Sequence, residues 1–153
     1  MNHKHHQSTI VSAALGAGVI AGLRSFSAPA AVSTALTEQY GLAERLKPAL
    51  LALAAGEMLA DKLPFMPART APVALAGRVL TGAMSGAALA TAAGRNRITG
   101  ALLAGAAAVV SSYAALALRS ALSERLAVPD PLVALIEDAI VVVAGRTLAM
   151  HTA

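Results

Sequence analysis

Five long apolar blocks, separated by short polar stretches, mark this chain: residues 8–36, 48–63, 70–94, 98–118 and 131–150. About 20 apolar residues cross the hydrocarbon core of a bilayer as a helix. Four blocks meet that length. The second, with 16 residues, must begin earlier or end in a polar cavity. The first is interrupted by Arg24-Ser25-Phe26-Ser27-Ala28-Pro29. Pro29 lacks an N–H and disfavours helix in the residue before it, which predicts a kink or unwound turn there. Pro48 suits a helix start, and Pro64 and Pro67 suit a stop. Residues 37–47 read as an amphipathic interfacial turn with Tyr40 at headgroup depth, 94–97 as a basic loop, and 119–130 as a longer polar loop.

The connections are brief, so residues 1–153 form one membrane domain behind a polar tail, 1–7. Leu23-Arg24-Ser25 closes the first block and Leu118-Arg119-Ser120 closes the fourth. Each precedes a segment with two carboxylates, Glu57 with Asp61 and Glu137 with Asp138. Units 8–64 and 98–150 therefore flank a central helix, 70–94. An odd number of crossings between them inverts one relative to the other, as in many transporters. The expected fold is all-α: a polytopic transmembrane helical bundle of about five helices, with inverted two-helix repeats and a first helix broken near Pro29.

Composition supports that class. The chain is 57% hydrophobic and 13% charged, with a mean hydropathy of +0.67. Soluble domains are about 45–50% apolar and about 25% charged, so disorder and an ordinary soluble enzyme are both disfavoured. Counting gives 39 Ala beside 12 Gly, small residues that let helices approach closely in lipid. Zero Cys removes disulfides, iron–sulfur clusters and thiolate catalysis. The four His, at 3, 5, 6 and 151, leave the apolar segments without an imidazole, so no haem, zinc site or other cofactor is expected. The net charge of +4 is scattered, with 3% aromatics, which argues against nucleic acid. A cleavable signal ending near Ala28 is the alternative for the N-terminus. Arg24 directly after the apolar run favours a first spanning helix instead. Counted as five single crossings with the N-terminus inside, the two sides carry five and four basic residues, which leaves orientation open.

The charges inside the apolar blocks carry the candidate chemistry. Glu57 and Asp61, four apart, share one helix face, and that face must look into protein or water. Arg78 precedes Gly82 and Gly86 on a close-packing face, and Arg146 follows Asp138 by about two turns. Arg24, Arg78, Arg119 and Arg146 are thus placed to meet Glu57, Asp61, Glu137 and Asp138 around one polar interior. Arg24 and Ser25 beside a Pro-broken helix also suit an anion, although a kink satisfied by serine hydroxyls explains the same residues.

Three functions fit these residues. A transporter or channel would move a proton-coupled or anionic solute past the buried charges, which can relay protons. A non-catalytic membrane subunit or assembly factor would use them as ion pairs. A lipid-phosphate enzyme would use Glu57 and Asp61 as acid/base or metal ligands, but no Ser-His or Asp-rich signature supports one. The expected surroundings are a lipid bilayer and either copies of the chain or a larger membrane complex.

Four segments, GLRSFSAPA (22–30), GEMLADKLPFMPART (56–70), RVLTGAMSG (78–86) and LIEDAIVVV (135–143), resemble the bacterial membrane proteins grouped as domain of unknown function 4126. The resemblance runs over about residues 10–145 and is most specific in the Gly-Glu to Lys-Leu-Pro block. It implies a multi-pass protein of the bacterial inner (cytoplasmic) membrane and brings no established activity. The chain departs from the family's pattern before Arg119, where residues 113–118 read Tyr-Ala-Ala-Leu-Ala-Leu.

Overall fold

The computed structural model describes the backbone of residues 2–60, 71–126 and 130–152, with side chains described over 10–60, 71–122 and 132–150. Among the described residues six helices form: α1 Asn2–Leu23, α2 Ser27–Ala35, α3 Gly41–Ala60, α4 Pro72–Ala92, α5 Arg97–Leu126 and α6 Asp130–Thr152. No strand occurs among the described residues. The count exceeds the expected five because the first apolar block makes two helices, α1 and α2. Pro29 lies in the first turn of α2, where a missing N–H costs no helical bond. A continuous helix would instead set the proline ring against the carbonyl of Ser25, four residues back. The break falls at residues 24–26, just ahead of that clash.

Small residues draw α1, α4 and α5 together. A Cβ at Gly18 would collide with the Ala104 carbonyl, and one at Gly22 with Ala108 and Ser111. Gly86 and Gly100 meet backbone to backbone, and a Cβ at Gly82 would lie 3.3 Å from Ala21. These contacts also give direction. Positions 18 and 22 climb with 104 and 108, so α1 and α5 are parallel. Positions 82 and 86 pair with residues near 104 and 100, so α4 is antiparallel to both. Inverted units headed by α1 and α5 need those two helices antiparallel, and the described helices are not arranged so. The physical reason is α2. One groove sets Phe26 to Tyr40 alongside Thr81 to Thr91, so α2 reverses α1 and adds a turn-back that the five-segment plan omits.

Other boundaries shift for local reasons. α3 begins at Gly41 and passes through Pro48, so the expected interfacial turn is already helix. α5 likewise continues through the expected polar loop to Leu126. Between α4 and α5, Gly94 takes φ 65°. There the N–H of Arg95 reaches the Ala90 carbonyl at 2.7 Å and that of Gly94 the Thr91 carbonyl at 3.0 Å, closing the helix end. Asn96 Oδ1 then accepts the Ile98 N–H at 2.8 Å and caps α5. α6 packs on α2 and α1, whereas α3 leans chiefly on α2. Among the described residues two helices are long and apolar enough to cross a membrane: Pro72–Ala92, with mean hydropathy 1.4, and Arg97–Leu122, with 1.9.

Candidate functional site at the helix break

Breaking a helix strands backbone donors and acceptors, and buried ones must find partners. At this break other helices supply them. The Glu57 carboxylate of α3 accepts the Ser25 N–H at 2.8 Å on Oε1 and the Phe26 N–H at 2.9 Å on Oε2. The Gly22 carbonyl, which the Phe26 N–H would meet in a continuous helix, accepts instead from Ser112 Oγ of α5 at 3.0 Å. Arg24 itself is fully buried. Its Nε and Nη2 donate to Asp138 Oδ1 of α6 at 2.9 and 2.6 Å. Gly82, halfway along α4, lies level with Ala21, and Arg24 is about 5 Å further on along α1.

A second ion pair adjoins the first. Asp138 and Glu137 are neighbours on α6, and both are buried. Glu137 Oε2 accepts Arg119 Nη2 of α5 at 2.9 Å. Adjacent helical positions differ by about 100° in direction, so one carboxylate faces α1 and the other α5. Arg78, 4% exposed, lies four residues before Gly82 on the antiparallel α4, which sets it at about the level of Ser25.

The structure thus gathers Arg24, Ser25, Glu57, Arg119, Glu137 and Asp138 into one chain of contacts, with Arg78 buried at the same level. Arg146 is different. It is exposed on α6, at the rim of a 290 Å³ cavity between α2, α3 and α6, outside the charge cluster it was expected to join. Distance along the helix explains this, because eight residues carry it about 12 Å from Asp138. Asp61 lies outside the described residues, and among the described residues no three His, Asp or Glu converge as metal ligands.

Nothing in the sequence pattern singles out Ser112, or marks Glu57 as the partner of the Phe26 N–H. Pro29 carries a partial signal, since a helix restarting just before a proline exposes donors ahead of it. Ser27 Oγ and Ser85 Oγ, both buried, have no hydrogen-bond partner among the described residues. No protein-family model, curated protein or solved structure matches the chain.

Proposed function

We propose that the chain is a small integral membrane protein that moves a small anion, coupled to protons, past the break between α1 and α2. Glu57 carries the proposal. Its carboxylate occupies the N–H groups ahead of a half-length helix, the position where broken-helix transporters hold the anionic group of a substrate. Glu57 acts as a tethered anion. A mobile anion competes with it for the Ser25 and Phe26 N–H groups, and a proton taken up by the carboxylate weakens its hold. Partial exposure leaves Glu57 accessible, whereas Glu137 and Asp138 are buried in their arginine pairs.

The membrane setting is supported by where the apolar side chains point. Only 33% of the apolar window in each of α4 and α5 is buried within the protein, and Leu80, Leu102 and Val110 are 61–69% exposed. A soluble core helix of that apolarity would be mostly covered. The resemblance to a bacterial inner-membrane family agrees with the setting and adds no activity.

A structural membrane subunit is the second reading. It is favoured by the paired state of Arg24 with Asp138 and of Arg119 with Glu137. Flux separates the two. In proteoliposomes loaded with a pH-sensitive dye, wild type is expected to drive proton movement when a small-anion gradient is imposed. Glu57→Gln, at matched incorporation, is expected to uncouple or abolish it. Absence of flux from folded wild type would leave the structural role.

A further inference from the structure

Among the described residues that line the 290 Å³ cavity between α2, α3 and α6, Arg146 alone is charged. Val142, Arg146 and Ala149 all border the cavity, at the i, i+4 and i+7 spacing of one helix stripe. Arg146 therefore projects from the face that the cavity touches. Its depth follows from two contacts. Asp138 meets Arg24, and a Cβ at Gly145 would lie 3.5 Å from that of Ala31. So α6 descends beside α2 and runs antiparallel to α1. Arg24 stands about 5 Å to one side of the α4 midpoint, and eight residues of α6 span about 12 Å. Arg146 thus sits about 7 Å to the other side, whereas α4 extends about 16 Å each way from its midpoint. In the membrane setting proposed above, that is hydrocarbon depth. A helical side chain leans toward its own N-terminus, here toward the midplane and away from the nearer surface. Among the described residues no carboxylate pairs with Arg146. An arginine at such a depth faces a water-filled cavity or takes a counter-anion.

We propose that this cavity binds a short-chain monocarboxylate, its carboxylate on the Arg146 guanidinium and its hydrocarbon chain against Leu51, Met58, Val141 and Val142. The proposal rests on the anion reading above for the sign of the solute's charge. The planar fork of an arginine matches the two oxygens of a carboxylate. One positive charge balances one negative charge, and a second carboxylate in the cavity would lie desolvated without a partner. Apart from Ser27 and Thr34, whose hydroxyl donates to the Ala30 carbonyl, the rest of the lining is apolar. That lining favours a hydrocarbon chain over a bare inorganic ion. At about 30 Å³ for each water-sized group the cavity has room for roughly 10, enough for butyrate and a few waters. One end of the cavity reaches the helix break, since Met58 follows Glu57 and Ser27 follows Phe26. A carboxylate leaving Arg146 along it arrives at the N–H groups that Glu57 occupies.

The test measures thermal stabilisation of the full chain in a non-ionic detergent by sodium butyrate, against sodium chloride at equal ionic strength. Saturable stabilisation by butyrate is expected. Half-saturation should tighten roughly fourfold for each carbon added from acetate to butyrate. Succinate, with a second carboxylate, should bind more weakly than butyrate. Arg146→Gln should raise the half-saturating butyrate concentration at least tenfold, the scale of a lost charge-assisted hydrogen bond. Its melting temperature without ligand should stay near wild type, so a folding defect does not explain the loss. Arg146→Lys keeps the charge and loses the fork, and should fall between the two. Equal half-saturation in wild type and Arg146→Gln overturns the proposal, as does equal stabilisation by chloride and butyrate. If Arg146→Gln fails to fold, Arg146→Lys decides, and unchanged butyrate affinity in it overturns the proposal. Chloride-driven flux in proteoliposomes without butyrate binding would keep the anion reading and overturn this site. Butyrate binding without any flux would keep this site and overturn transport.

Discussion

Arg24 and Asp138, 114 positions apart, meet through two hydrogen bonds to one carboxylate oxygen, with the arginine fully buried. The pair ties the break in the first apolar block to the final helix. It also explains why α6 packs against α1 and α2.

Removing one member of a buried ion pair leaves the other charge uncompensated, which costs about 3–5 kcal/mol. Arg24→Leu and Asp138→Leu are each expected to lose about that much stability. The double variant, Arg24→Leu with Asp138→Leu, should recover most of it. Denaturation of the detergent-solubilised protein measures this. A double variant as unstable as the sum of the singles would show that the pair does not act as a unit.

Glu57→Gln keeps one acceptor oxygen and turns an amide group toward the other N–H. One half-buried donor at the break is then left without its acceptor, at a cost of about 1 kcal/mol. Hydrogen exchange across residues 20–30 should accelerate severalfold while exchange in the α4–α5 corner is unchanged. Equal protection in both proteins would mean that the cap contributes little.

The glycines of α1 separate by their surroundings. At Gly22 a Cβ would strike Ser111 and the Ala108 backbone, so Gly22→Ala is expected to destabilise by about 1–3 kcal/mol. At Gly16 nothing lies within 4 Å, and Gly16→Ala should stabilise by up to about 1 kcal/mol through helix propensity. Thermal melts of the two variants, run side by side, should move in opposite directions.

The arginines of the second half divide in the same way. Arg119→Gln removes a charged donor from the buried Glu137 and should lower stability clearly. Arg146→Gln, on an exposed position, should stay within about 0.5 kcal/mol of wild type. Comparable losses in both would place Arg146 in the charge cluster after all.

Fractionation tests the setting. The protein is expected to remain in the membrane pellet after alkaline carbonate, and its release into the supernatant would sink the membrane proposal.

Much of this architecture is legible along the chain because its causes are local. Uninterrupted apolar length specifies α4 and most of α5. Pro29 announces a break, and Gly94 with Asn96 announces the corner between α4 and α5. Charges inside apolar blocks identify Arg24, Glu57 and Asp138 as partners in something, since an isolated charge there is too costly.

Which partner each one takes is a different matter. Glu57 shares a helix face with Asp61 in the sequence pattern, yet it caps Ser25 and Phe26, about 30 positions upstream. Glu137 and Asp138 read as one pair, yet they serve two different helices. Whether α2 continues α1 or doubles back is equally silent in the residues, and that reversal decides against the inverted arrangement. Each of these outcomes depends on the register of helices packed through glycine, at contacts such as Gly18 on Ala104 and Gly86 on Gly100. Periodicity records which face of a helix is apolar. Only the packed structure decides which neighbour that face meets and at what height, because a hydrogen bond requires atoms within about 3 Å and no local pattern encodes that distance.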